Sequence, residues 1–181
     1  MELLNEPNKA ITKNLFLTSL KDSNKTIKLN IVGVGNVFKS KMNNKPNMFI
    51  DFNICSNFEC NIIKLNVNNE PEKDSNGNEI IIKENVFNNI VSLPYNLTET
   101  RQDNYYKISN RSNLFNILNY ALIKNKKING NNTKGFNISI KEIQENLLNL
   151  SLFVKCVLVT DTNYKPYLKL IVVDPPENET L

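Results

Sequence analysis

From Thr26 onward, apolar residues fall on every second position over several stretches, and this alternation narrows the fold more than any motif does. Ile27, Leu29 and Ile31 alternate with Lys28 and Asn30, the period of a strand buried on one face and wet on the other. Gly33 and Gly35 then interrupt the run before Val37 and Phe38. Glycines inside a strand pattern predict a bulge or sharp bend, as at a barrel corner. The segment Lys41-Met42-Asn43-Asn44-Lys45-Pro46-Asn47 has the composition of a turn. A second strand runs from Met48 to Cys55, with Met48, Ile50, Phe52 and Ile54 on one face, and a third from Cys60 to Val67. A short strand over Glu79 to Lys83 follows a hairpin turn at Asn76-Gly77.

Beyond Pro94 the period changes. Tyr105 to Ile108 reads as a brief strand. Ser109 or Ser112 can cap a helix near 112–124, with Leu114, Phe115, Leu118, Ala121 and Leu122 on its apolar stripe. Lys124, Lys126 and Lys127 close it at the negative end of its dipole. Ser139-Ile140-Lys141-Glu142 matches a capping box and predicts a second helix near 140–149. Leu152 to Thr160 is a strongly apolar strand, Asp161 to Tyr164 a turn, and Tyr167 to Val173 the returning partner. Asp174-Pro175-Pro176 ends the order, because proline cannot donate to a ladder. Asn14 to Leu20 admits a short strand or one docking helical turn. The expected fold is α+β and mainly antiparallel β: a small OB-like Greek-key barrel, or a sandwich, with two helices before a C-terminal hairpin. One β-rich domain over 26–173 carries an N-terminal extension, 1–25, and an acidic tail, 174–181.

Composition removes whole classes of chemistry. The chain has no histidine, so Ser–His and Cys–His catalysis cannot operate within it. Cys55 and Cys60 are five apart, not at the spacing of a zinc knuckle, and Cys156 lies in an apolar run; all three are expected to be reduced structural thiols. No metal or other cofactor is expected. A calcium loop starting at Asp74 would need glycine and glutamate where Glu79 and Asn85 stand. Gly33-Val34-Gly35 lacks the third glycine and the following helix of a dinucleotide loop. Asp51 interrupts an apolar strand, and alternation points it outward. The chain is expected to be non-enzymatic. With 35 asparagines, and 20 lysines to 2 arginines, it carries the coding bias of an AT-rich genome, which discounts its Asn-x-Ser/Thr triplets. The acidic N-terminal run lacks the order of a signal peptide and no stretch approaches a membrane span, so an intracellular, cytoplasmic protein is expected.

The net charge of +4 is unevenly laid out: 0 over residues 1–23, +4 over 24–67, −4 over 68–100, +7 over 101–173 and −3 in the tail. Within the basic parts, aromatic residues interleave with lysine. Phe38, Lys39 and Lys41 end the first strand; Tyr105, Tyr106 and Lys107 precede the long helix; Tyr164, Tyr167 and Lys169 lie in the last hairpin. Rings that stack bases beside cations that neutralise phosphate are the equipment of single-stranded nucleic-acid binding. A basic β-rich body with such residues and a short acidic tail resembles, in arrangement, the OB-fold single-stranded-DNA-binding proteins of phages and bacteria. That resemblance implies single-stranded nucleic acid as partner, a protein partner recruited by the tail, and no membrane. The competing expectation is a protein-interaction or structural accessory protein of phage or mobile-element type that oligomerises through an exposed strand edge, with a homo-oligomer as its partner; an enzyme with a carboxylate or metal-assisted site ranks a distant third.

Overall fold

The computed structural model describes residues 10–130, 134–161 and 163–179. In chain order the elements are α1 (Lys13–Ser23), β1 (Ile27–Val34), β2 (Phe38–Lys39), β3 (Pro46–Ile54), β4 (Glu59–Ile63) and β5 (Ile81–Asn85). Next come β6 (Ile90–Asn96), β7 (Thr98–Glu99), β8 (Tyr105–Ile108) and α2 (Asn113–Lys124). The chain continues through β9 (Phe136–Ser139), α3 (Ile140–Leu147), β10 (Ser151–Asp161) and β11 (Tyr164–Val173). The fold is α+β with mainly antiparallel strands.

The predicted alternation builds the main sheet. Its lanes run β11-β10-β1-β3-β6, all antiparallel, and β2 prolongs the β1 lane along β3. Leu29 and Ile31 pair with Ile54 and Phe52 and are sealed from solvent, as are Met48 and Ile50. Asn47, Phe49, Asp51 and Asn53 point to the other, outer face by strand alternation. At the glycines the register of β1 shifts between Ile31 and Gly33. Gly35 N–H still donates to Phe49 O at 2.9 Å, so the lane bends without losing its partner.

A sheet buried on one face needs a cover, and helices supply it. Residues 13–23, within the stretch read as an N-terminal extension, form the three-turn α1, capped by Thr12 accepting from Leu15 N–H. Phe16, Leu17 and Leu20 enter the core, and Phe16 meets Phe58 edge to face at 6.1 Å. Residues 1–9 of that extension lie outside the described residues. α2 starts at its Ser112 cap and buries Leu114, Ile117, Leu118, Ala121 and Leu122. α3 starts at Ser139, whose hydroxyl accepts from Glu142 N–H at 3.1 Å, the backbone half of the expected box. β4 and β5 form a separate ribbon, and β7, β8 and β9 a small third sheet.

Four elements carried no usable sequence signal: α1 as a full helix, the seven-residue β6, the two-residue β7 and β9. In β6, Val91, Leu93 and Tyr95 do alternate inward, but Pro94 breaks the reading. Proline is tolerated there because β6 is an edge strand. β11, at the other edge, carries Pro166. These edges do not hydrogen-bond to one another, so the sheet stays open and no closed barrel forms. They nonetheless approach: Leu93, Pro94 and Tyr95 share a cavity of about 20 Å³ with Leu168, Lys169 and Leu170, and Lys13, Leu17 and Asn113 fill the interval. Asn116 Nδ2 donates to Leu170 O at 3.2 Å, satisfying a carbonyl of the β11 edge.

Among the described residues no helix is long and apolar enough to cross a membrane. The three cysteines are free thiols, with Cys60 and Cys156 buried.

Gly135 has φ +87°, and a Cβ added there would collide with Ile108 O. Gly135→Ala should therefore destabilise the fold by about 2 kcal/mol or more, measured by urea unfolding. Burial raises the Cys60 thiol above its ordinary 9.0, with a hydrogen bond from Ser19 partly offsetting it, and likewise raises Cys156 and the Tyr95 hydroxyl. A raised folded-state pKa contributes stability that is complete below the unfolded value and lost as pH climbs past it. Burial of Lys169 lowers its pKa and works in the opposite sense below its ordinary 10.5. The melting temperature should fall as pH rises above 9.0, with a shallower fall in Cys60→Ala; equal slopes would refute the thiol's share.

Candidate nucleic-acid interface

The outer face of the sheet is open where β1 bends. Phe38 pairs with Asn47 in the ladder and shares its face with Phe49. The two rings stack in parallel, 5.3 Å between centroids and 8° between planes, although 40% of Phe38 and 42% of Phe49 is exposed. The bend explains the pair: β2 returns to β3 after Gly35, which places Phe38 one diagonal step from Phe49. Val32, in the bulge, is also exposed. Beside them, Asp51 takes a hydrogen bond from the Ser92 hydroxyl directly across the ladder. Its carboxylate lies over Gly33, where an added Cβ would sit 2.7 Å from Oδ2.

The second feature is a groove of about 370 Å³ at the approach of the two sheet edges. β6 and its continuation supply Pro94, Tyr95, Asn96 and Thr98, and α1 supplies Lys13. β8 supplies Lys107, the segment leading into α2 supplies Ser109, Arg111, Ser112 and Asn113, and β11 supplies Tyr167. Among the described residues, three cations thus line it and no carboxylate does. The Tyr95 hydroxyl, buried and raised in pKa, stays neutral.

The structure does not gather the predicted residues into one place. Phe38 joins Phe49. Lys39 extends away and pairs with Glu99 at 3.6 Å, while Lys41 is exposed in the turn before β3. Lys107 and Tyr167 meet in the groove. Tyr105 shares the strand side of Lys107, whereas Tyr106 packs against the core. Tyr164 is 65% exposed near the tip of the last hairpin, where Thr162 lies outside the described residues. Lys169 is half-buried and lines the narrow cavity between the edges. The tail turns back at the far end of β11, where Glu179 lines a separate cavity with Phe153 and Lys28. Residues 180–181 of the tail lie outside the described residues.

Sequence reasoning missed Phe49, Lys13 and Arg111. Phe49 is an apolar residue on the polar phase of an alternating strand, a legible signal. Arg111 is one of two arginines beside 20 lysines, a rarity that was its one sequence signal and was passed over. Lys13 had no signal, because only the docking of α1 brings it to the groove. Among the described residues, no group of three His, Cys, Asp or Glu could hold a metal ion. No family model matches the chain, and no characterised protein or solved structure matches it either.

Because Asp51 is anchored by Ser92, it cannot yield freely to a side chain at position 33. Gly33→Ala should cost roughly 1–3 kcal/mol, and the cost should shrink in an Asp51→Ala background. A double-mutant cycle by thermal unfolding checks this, and strict additivity would refute it.

Proposed function

We propose that the protein binds single-stranded nucleic acid, without catalysis, on the open face around Phe38 and Phe49. The observation that carries this reading is the exposed, parallel-stacked pair. Two phenyl rings stacked on each other and left exposed on a sheet face cost solvation and gain little from the core. They do offer a π-face to a base, and a stacked base is worth roughly 1–3 kcal/mol. Lys41 and Lys45 in the adjoining turn are exposed cations for phosphate. Asn96, on the rim of the basic groove, stands two ladder spacings, about 10 Å, from Phe38 through Asn47.

The strand order supports the same reading. The five long lanes, taken in chain order, lie 5-4-1-2-3. Four of them thus have the 4-1-2-3 order of a Greek key. We read the whole as an OB-like barrel left open between its third and fifth strands, with α1 and α2 in the gap. OB folds bind oligonucleotides on the face of strands two and three and through the loops joining strands one to two and four to five. Phe49 occupies that face, Phe38, Lys39 and Lys41 the first loop region, and Tyr164 the second. The tail is proposed as a contact for a protein partner and the cytoplasm as the compartment.

A second reading, a self-associating accessory protein, is favoured by Ile90, 56% exposed, and Phe87, 53% exposed, at the far end of the open face. Pairing through the edges of the main sheet is disfavoured by Pro94 and Pro166. Light scattering during size exclusion separates the readings: a monomer at micromolar concentration removes the second.

Fluorescence anisotropy with labelled oligo-dT should show binding that weakens steeply with salt, since phosphate contacts release counterions. Phe38→Ala/Phe49→Ala should weaken it by roughly 1–3 kcal/mol per stacked base lost, while the melting temperature falls only modestly. No binding at low salt and micromolar protein would overturn the proposal.

A further inference from the structure

The groove between the sheet edges differs in charge from two other cavities of similar size. In one of those, Lys25 and Lys83 are balanced by Asp22 and Glu59. In the other, Lys28 is balanced by Glu179. Among the described residues, Lys13, Lys107 and Arg111 have no such counter-charge on the groove wall. None of the three takes part in an ion pair among the described residues. Lys107 and Arg111 lie close together in the chain, at β8 and just before α2, whereas Lys13 is brought to them from α1 at the other end of the sequence, so its arrival is a product of the fold and not of a local basic run. Like charges gathered without a partner repel one another, and an anion in the groove relieves that repulsion.

The remaining lining indicates the kind of anion. Thr98, Ser109, Ser112 and Asn113 offer neutral polar side chains suited to phosphate oxygens, and arginine adds a planar, bidentate donor. A volume of about 370 Å³ lies at the lower end of small-ligand sites and is more than a bare phosphate needs. Tyr167 and Pro94 supply apolar surface beside the cations. We infer that this groove binds a nucleoside phosphate, with Lys13, Lys107 and Arg111 on the phosphate oxygens and Tyr167 against the nucleoside. The site lies apart from the Phe38–Phe49 pair and does not require the single-strand reading, because a free nucleotide and one unit of a strand present the same chemistry.

Calorimetric titration of the full chain at low salt with thymidine 5′-monophosphate, thymidine, inorganic phosphate and an eight-residue oligo-dT tests it. The monophosphate should bind and thymidine should not. Lys107→Ala/Arg111→Ala should weaken the monophosphate at least tenfold, Lys13→Ala should weaken it less, and Phe38→Ala/Phe49→Ala should leave it unchanged. All three cations are exposed, so the variants should keep the parent melting temperature, and Lys107→Glu gives a second variant should the double one unfold. Loss of oligo-dT affinity in the double variant, without any monophosphate binding, would assign the site to strand phosphates. The inference is overturned if neither ligand loses affinity in the variants, or if inorganic phosphate binds as tightly as the monophosphate. The aromatic variants are read separately with oligo-dT, so failure here and failure of the stacking face give different patterns.

Discussion

The inner face of the main sheet must be kept from water, and its own edges do not meet to enclose it. Leu29, Ile31, Ile50, Phe52 and Ile54 have no exposed surface, and each buried side chain of this size contributes about 1.5–3 kcal/mol. Since β6 and β11 approach without hydrogen bonding, the interval between them is filled by side chains of α1 and α2. The helices are therefore part of the enclosure. Removing either would expose the core at its seam.

That solution has an electrostatic consequence. A helix that closes a seam delivers its first turn to the seam's mouth, and here the first turns of α1 and α2 carry no acidic residue. Lys13 arrives with one helix and Arg111 just ahead of the other, while β8 adds Lys107. The basic groove is thus a by-product of how the core is covered. The aromatic pair has a separate origin in the β1 bend, where a bulge and a glycine let the chain return to β3 with Phe38 turned outward. One end of the molecule consequently carries both stacking surface and positive charge that no described residue compensates.

Much of this was legible in the residues. The alternation of Ile27, Leu29 and Ile31 and of Met48 to Ile54 set out the two central lanes, because side-chain direction in a strand depends only on parity. Ser112 and Ser139 marked two helix starts, because a cap acts on backbone N–H groups within three residues. β6 was concealed by Pro94, whose cost depends on whether the strand is central or at an edge, and that is settled by the neighbours. α1 was concealed because Asn14 to Leu20 holds too few residues to separate periods of two and 3.6. In the candidate interface, Phe38, Lys107 and Tyr167 were found from aromatic–lysine spacing. Tyr106, with the same spacing, turned inward, since adjacent strand residues must face opposite sides.

The sequence by itself determined the strand-forming parity, the helix caps, the glycine bend and the absence of histidine, all of them properties of single residues or close neighbours. Only the tertiary structure decided that the sheet stays open, that helices fill its seam, and that Lys13 joins Lys107 and Arg111 there. Those outcomes depend on contacts between segments many tens of residues apart. Burial of the whole inner face fixes those contacts, and no local pattern encodes them.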